Sequence, residues 1–129
     1  MGIKHRGGDI QTHVVDSRKA HDLIGPIVAN VKVGSAIHTD ALLSYREVRM
    51  HGFRHQTVNH RVGEYVSKGN VTVNSVEGFW AQLKRGINGT HIHVSPKHLS
   101  KYLGEFEFRH NRRDRPATML DELMLSFRR

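Results

Sequence analysis

Short strand-like segments alternate with helix-like ones as far as residue 59, and only helical spacing follows Asn74. This order is what most limits the fold. Strands separated by helices favour a mixed α/β sheet, whereas a run of consecutive strands would favour a sandwich or barrel. Ile10, Thr12, Val14 and Val15 read as a short strand. Ala20, Leu23, Ile24, Ile27, Val28 and Val31 then recur at helical spacing, with Asp16 or Ser17 as the capping residue. Gly25-Pro26 predicts a kink or break there, because proline lacks an amide donor and clashes one turn back. Residues 35–39 read as a strand ending at Asp40, residues 41–50 as a helix stopped by Gly52, and residues 53–59 as a third strand. Residues 1–11 predict no element, and residues 60–73 read as a loop.

Three helices are expected to complete the chain. Asn74 and Ser75 are capping types, and Val76, Phe79, Trp80, Leu83 and Ile87 form an apolar stripe that Gly86 and Gly89 end. Ser95-Pro96 marks the next start, with Leu99, Leu103 and Phe106 on the buried face as far as Asn111. Pro116 opens a last helix, with Met119, Leu120, Leu123 and Phe127 expected to face inward. With no repeat and no linker, residues 1–129 are expected to form a single α/β domain.

Composition narrows the function. There is no cysteine, which excludes disulfides, thiolate zinc sites and thiol catalysis. No apolar run approaches the roughly 20 residues of a membrane span, and the polar first residues are unlike a signal peptide. A cytoplasmic location follows as an expectation. The formal charge is +8, and from Lys84 onward ten Lys and Arg face five Asp and Glu. Such a surface suits a polyanion, nucleic acid above all, and the arginine fork suits phosphate oxygens.

Two acids stand out by position. Asp40 directly follows a predicted buried strand, where α/β sheets place ligands, and it is also placed to cap the helix that follows. Glu77 borders the apolar stripe of its helix, with Lys84 two turns further along the same ridge. A first-turn acid favoured by the helix dipole fits Glu77 equally well. Glu105, Arg109 and Arg112 share a helix face at i, i+4, i+7 and can pair as an ion ladder. His91 and His93 flank Ile92, but no third ligand stands at a metal-binding spacing, and neither glycine pair fits a phosphate loop.

The stretches GSAIHTD, HQTVNHRVGEYV, VTVNSVEGFWAQLKRGINGTHIHVSPKHL and EFEFRHNRR closely resemble the transposase domain of ISXO-like bacterial insertion sequences, over about residues 8–113. The resemblance implies a DDE-superfamily domain with a ribonuclease H-like core. It also implies phosphodiester cleavage and strand transfer on transposon-end DNA, with two divalent ions, usually magnesium, held by three acids. Matched position by position, Asp40 takes the second acid's place and Glu77 the third's, both as metal ligands, with Asn74 the rival for the third place. Lys84 matches a lysine that contacts DNA. Arg85, Lys97, Arg109, Arg112 and Arg113 are the other basic candidates for phosphate contact. Such enzymes work as multimers at the bacterial nucleoid, so a homo-oligomer is the family expectation.

One departure shapes the expected activity. The family's first acid lies on the first core strand, upstream of a glycine-rich turn, and neither Asp9 nor Asp16 stands in that context. The expectation is a truncated, partial ribonuclease H-like fold of about three strands, inactive alone. The alternative is a non-catalytic DNA-binding module that uses the basic C-terminal helices.

Overall fold

The computed structural model describes residues 1–58, 73–91 and 94–127 as a mixed α/β chain. It divides into two compact units, one of Met1 with residues 13–78 and one of residues 2–12 with 79–129.

The first unit is built on two parallel strands, β3 (Ala36–Thr39) and β4 (Arg54–Thr57), paired in register from Ala36 opposite Arg54 to Thr39 opposite Thr57. Parallel neighbours need a crossover of a dozen or more residues, and residues 40–53 supply it through the 3-10 helix Leu43–His51. Gly52 ends that helix as expected, in a left-handed conformation (φ 83°) that a Cβ would strain. The sequence reads as a helix over residues 41–50, where Leu42, Leu43 and Tyr45 are apolar. The observed 3-10 winding stacks positions three apart, so Tyr45 and Val48 share a row. Val48 is fully buried while Leu43 is 65% exposed.

Helix α1 (Ala20–Asn30) packs on the 3-10 helix and runs unbroken through Pro26. The expected break is offset by burial. Leu23, Ile24 and Ile27 bracket the proline and are all buried. At roughly 1.5–3 kcal/mol each they outweigh the roughly 3 kcal/mol of an interior proline. The cap also differs from expectation. The Ser17 hydroxyl accepts the Lys19 N–H at 3.1 Å and donates to the Asp22 carboxylate, bracing the helix entry from outside. Phe53 and Val58, on either side of β4, complete this core.

In the second unit β1 (Gly2–Lys4) and β2 (Ile10–Thr12) form an antiparallel hairpin. The sequence predicted no element before Ile10, because β1 carries a single large apolar residue, Ile3. Its partner strand and the Trp80 indole, packed against Gly2, supply what its own side chains lack. The turn closes with the Gly8 N–H donating to the His5 carbonyl at 3.0 Å, and Gly7 sits at φ 71°, the third position where a type II turn needs glycine. The predicted strand stops at Thr12, leaving Val14 exposed.

Alternation along an antiparallel pair turns every second residue's backbone groups outward. Ile3 with Gln11 and His5 with Asp9 lie on the bonded side, so Ile10 and Thr12 face the other edge. Helix α3 (Leu99–Asn111) occupies that edge with side chains. The Asn111 amide accepts the Ile10 N–H and donates to the Ile10 carbonyl, both at 2.8 Å. One Glu107 carboxylate oxygen accepts the Thr12 N–H and hydroxyl, both at 2.7 Å. Two side chains one helical turn apart thus stand in for a third strand.

Helix α2 (Asn74–Gly86) continues into a π-helical turn, Ile87–His91. Phe79 and Leu83 of its stripe are buried, as is Leu103 of α3. Gly86 is required by close approach, since a Cβ there would lie 2.3 Å from the Phe106 ring. Asn74 and Ser75 were the expected caps, yet the Val73 carbonyl accepts the N–H groups of Val76 and Glu77, so both polar residues fall inside the first turn. The 3-10 turn Pro96–His98 leads into α3, and Pro116–Thr118 leads into α4 (Met119–Ser126), as the prolines predicted. The expected burial of the α4 stripe is not met: Leu120, Leu123 and Phe127 are exposed, and Met119, Leu120 and Leu123 line an open groove with Gly104 and Phe108 of α3 that no further element covers among the described residues. Residues 59–72 and the His93 half of the histidine pair lie outside the described residues, as does the His91 side chain.

Candidate functional site

Asp40 stands just past the carboxyl end of β3 and is exposed. One of its oxygens, Oδ1, accepts the Leu42 N–H at 3.2 Å. Asp40 is therefore not the helix cap that the sequence suggested, since Leu42 takes that place and the helix starts at Leu43; Asp40 braces the turn ahead of it and still presents its carboxylate to solvent. The Tyr45 phenol is pushed up, by burial first and by the Asp40 charge second.

Beneath Asp40 is a buried polar pair. Thr39 and His55 are 8% and 6% exposed. The Thr39 hydroxyl donates to the Asp40 carbonyl at 2.8 Å and lies 2.8 Å from His55 Nε2. A hydroxyl has one proton. With that proton on the Asp40 carbonyl, His55 Nε2 must carry its own hydrogen and donate to Thr39. His55 Nδ1 is then a bare lone pair, buried with no hydrogen-bond partner among the described residues. Burial, then Arg49, then His38 hold the His55 imidazole below its ordinary range, which keeps it neutral. Arg49 also donates to the His55 carbonyl at 3.1 Å, fixing β4 from the helix side.

Glu77 is exposed in the first turn of α2, and Asn74 is exposed at the helix start. Lys84 and Arg85 are exposed in the last turn, and Lys97 is exposed in the following 3-10 turn. The arginines of α3 are more committed. Arg109 pairs with Glu105 at 2.8 Å, as the i, i+4 spacing predicted. Arg112 leaves that ridge: its guanidinium lies over the Phe108 ring, 4.1 Å from the centroid, and its Nε pairs with Glu122 of α4. Arg115 joins the same carboxylate at 3.8 Å. Arg113 donates to the His110 carbonyl at 2.8 Å and lies 3.7 Å from Asp114. Sequence spacing missed Thr39–His55 and the Glu107–Asn111 edge contacts. Neither strand offered a signal for the first: β4 is polar throughout, so nothing marks His55 as its buried position.

The geometry so far defines a class: a mixed α/β chain with an exposed acid at a parallel strand's end, a second in the first turn of a later helix, and exposed basic groups on its helices. The sequence pattern of the ISXO2-like transposase domain matches residues 1–111, and the chain belongs to that family. Comparison with curated proteins found no match, and neither did comparison with solved structures. Membership implies a transposition-related function with DNA as partner, and DDE transposases generally use divalent metal ions. Asp40 and Glu77 offer the hard oxygens that magnesium prefers. Among the described residues, however, no group of three or more His, Asp or Glu side chains is placed to hold an ion. No described helix is long and apolar enough to cross a membrane.

Proposed function

We propose that this chain is a single catalytic-type domain of a DDE transposase, with a partial ribonuclease H-like core, that binds transposon-end DNA at the nucleoid as an oligomer. In this reading Asp40 is the second acid of the triad and Glu77 the third, with Asn74 the alternative third residue. The exposed carboxylate at the end of β3, in a chain of this family, is the observation that carries it. Lys84, Arg85 and Lys97 make the phosphate contacts, with Arg109 and Arg113 contributing where their ion pairs open. Arg112 serves mainly to hold α4. Neither Asp9, in the β1–β2 turn, nor Asp16, ahead of α1, supplies a first acid on a core strand, so the 129-residue chain alone binds DNA without cleaving it.

The test is a pair of assays on the purified chain. With magnesium or manganese and transposon-end DNA, nicking or joining is expected to match that of Asp40→Ala. Cleavage lost on that substitution would overturn the inactivity and establish Asp40 as catalytic. In a binding titration, log K is expected to fall with log salt, because phosphate contacts release counterions. A flat dependence would remove the DNA-contact reading. Asp40→Ala and Glu77→Ala are expected to leave affinity intact, as for a non-catalytic binding module, whereas Lys84→Ala with Arg85→Ala lowers it.

A further inference from the structure

We propose that Thr39 and His55 are positioning residues for Asp40: a buried His55 Nε2–H···Thr39 hydroxyl···Asp40 carbonyl chain that sets where the Asp40 carboxylate points. This rests on the reading of Asp40 as an active-site acid.

The geometry is directional. The Thr39 hydroxyl holds the backbone carbonyl of Asp40 from below at 2.8 Å, and the Leu42 N–H holds Oδ1 from the following turn at 3.2 Å. These two anchors restrain the residue between β3 and the 3-10 helix, both through its peptide and through its side chain. His55 holds the Thr39 hydroxyl in the rotamer that reaches the carbonyl. That contact is buried, so water does not compete for it. β4 brings His55 there because parallel pairing sets Ile37 opposite His55, and Thr39 is the next residue on the same face of β3. Arg49, bonded to the His55 carbonyl, keeps β4 in that register. A buried threonine and histidine are a poor choice for core stability alone, since a valine and a leucine would fill similar space without unpaired polar atoms. His55 Nδ1, without a hydrogen-bond partner among the described residues, is the visible penalty of keeping the chain.

The experiment uses the isotope-labelled full chain with manganese ion alone as the probe, following line broadening at the Asp40 amide and hydrogen exchange at the Leu42 amide. Thr39→Val keeps the shape and removes the hydroxyl. It is expected to need about five- to ten-fold more manganese for equal broadening, and to speed Leu42 exchange about as much, as loss of one hydrogen bond implies. Thr39→Ser and His55→Gln restore a hydroxyl and an N–H donor, and are expected within about two-fold of the parent. A purely structural role would instead raise exchange across the whole core and would not be rescued by serine. Broadening and Leu42 exchange both unchanged in a folded Thr39→Val would overturn the inference. If Thr39→Val does not fold, His55→Leu against His55→Gln makes the same comparison. Asp40→Asn separates the two readings. If it leaves manganese broadening unchanged, the active-site assignment of Asp40 fails, and Leu42 exchange alone decides the positioning chain.

Discussion

Replacing Asn111 by alanine would test the contact that closes the outer edge of β2. The substitution removes two bonds of 2.8 Å, one given by the Ile10 N–H and one taken by its carbonyl. A neutral hydrogen bond contributes about 1 kcal/mol net, but a buried group left unpaired costs about 1–3 kcal/mol instead. Ile10 is fully buried, so water reaches its backbone groups only by opening the unit. With two groups left unpaired, the expected loss is about 2–6 kcal/mol, a large share of the roughly 5–15 kcal/mol that holds a domain together. Trp80 lies against β1 and reports on this unit, so urea unfolding followed by tryptophan fluorescence measures the effect. Asn111→Asp sharpens the test. It keeps the acceptor for the Ile10 N–H but sets a carboxylate oxygen against the Ile10 carbonyl, and is expected to destabilise at neutral pH and recover in part in acid. Because Glu107 bonds the same strand, Glu107→Ala with Asn111→Ala is expected to lose less than the sum of the single changes. A change below about 0.5 kcal/mol for Asn111→Ala would refute the argument.

Three further outcomes are expected. Gly86→Ala should lower the unfolding midpoint by forcing the Phe106 ring aside, and Gly86→Ala with Phe106→Leu should regain part of the loss, both read by thermal melts. Pro26→Ala should stabilise the first unit by about 1–2 kcal/mol, since it restores a helical amide while giving up some rigidity of the unfolded chain; a destabilised variant in circular-dichroism melts would contradict this. His110 is half-buried, but both its ring nitrogens are buried and neither is hydrogen-bonded among the described residues, and the ring packs edge-on against Phe79. Burial first, then Arg113 and Lys4, lower its pKa from the ordinary value of 6.5, with Asp114 opposing. The unfolded chain then binds the proton more readily, so stability is full above about pH 6.5 and falls as the pH drops below it. His110→Leu should flatten the melting temperature between pH 7 and 5, with His55 accounting for what slope remains.

The alternation of strand and helix in the first 59 residues was legible because apolar periodicity switches there, and Gly52, Pro96 and Pro116 marked ends that local backbone chemistry dictates. What escaped depended on distant partners. β1 exists because Ile10–Thr12 and Trp80 meet it, and nothing within Gly2–Lys4 announces that. Pro26 sits in a continuous helix because tertiary burial outweighs its local penalty. On α4 the error ran the other way, since an apolar stripe shows which face seeks burial but not whether a partner surface is long enough to cover it. At the site, Asp40 could be found from its place after a strand, whereas its support from Thr39 and His55 depends on the strand register that brings these two residues, 16 apart in the chain, together.

The side-chain edge on β2 also sets an order of events in time. Ile10 and Thr12 are joined to Asn111 and Glu107 across 101 and 95 residues of chain. At about 5–20 residues per second of synthesis, the hairpin waits roughly 5–20 s before its fastener leaves the ribosome. During that interval β2 presents bare backbone groups to any neighbouring strand. The second unit is therefore one that closes last-to-first, and its most exposed moment comes during its own manufacture.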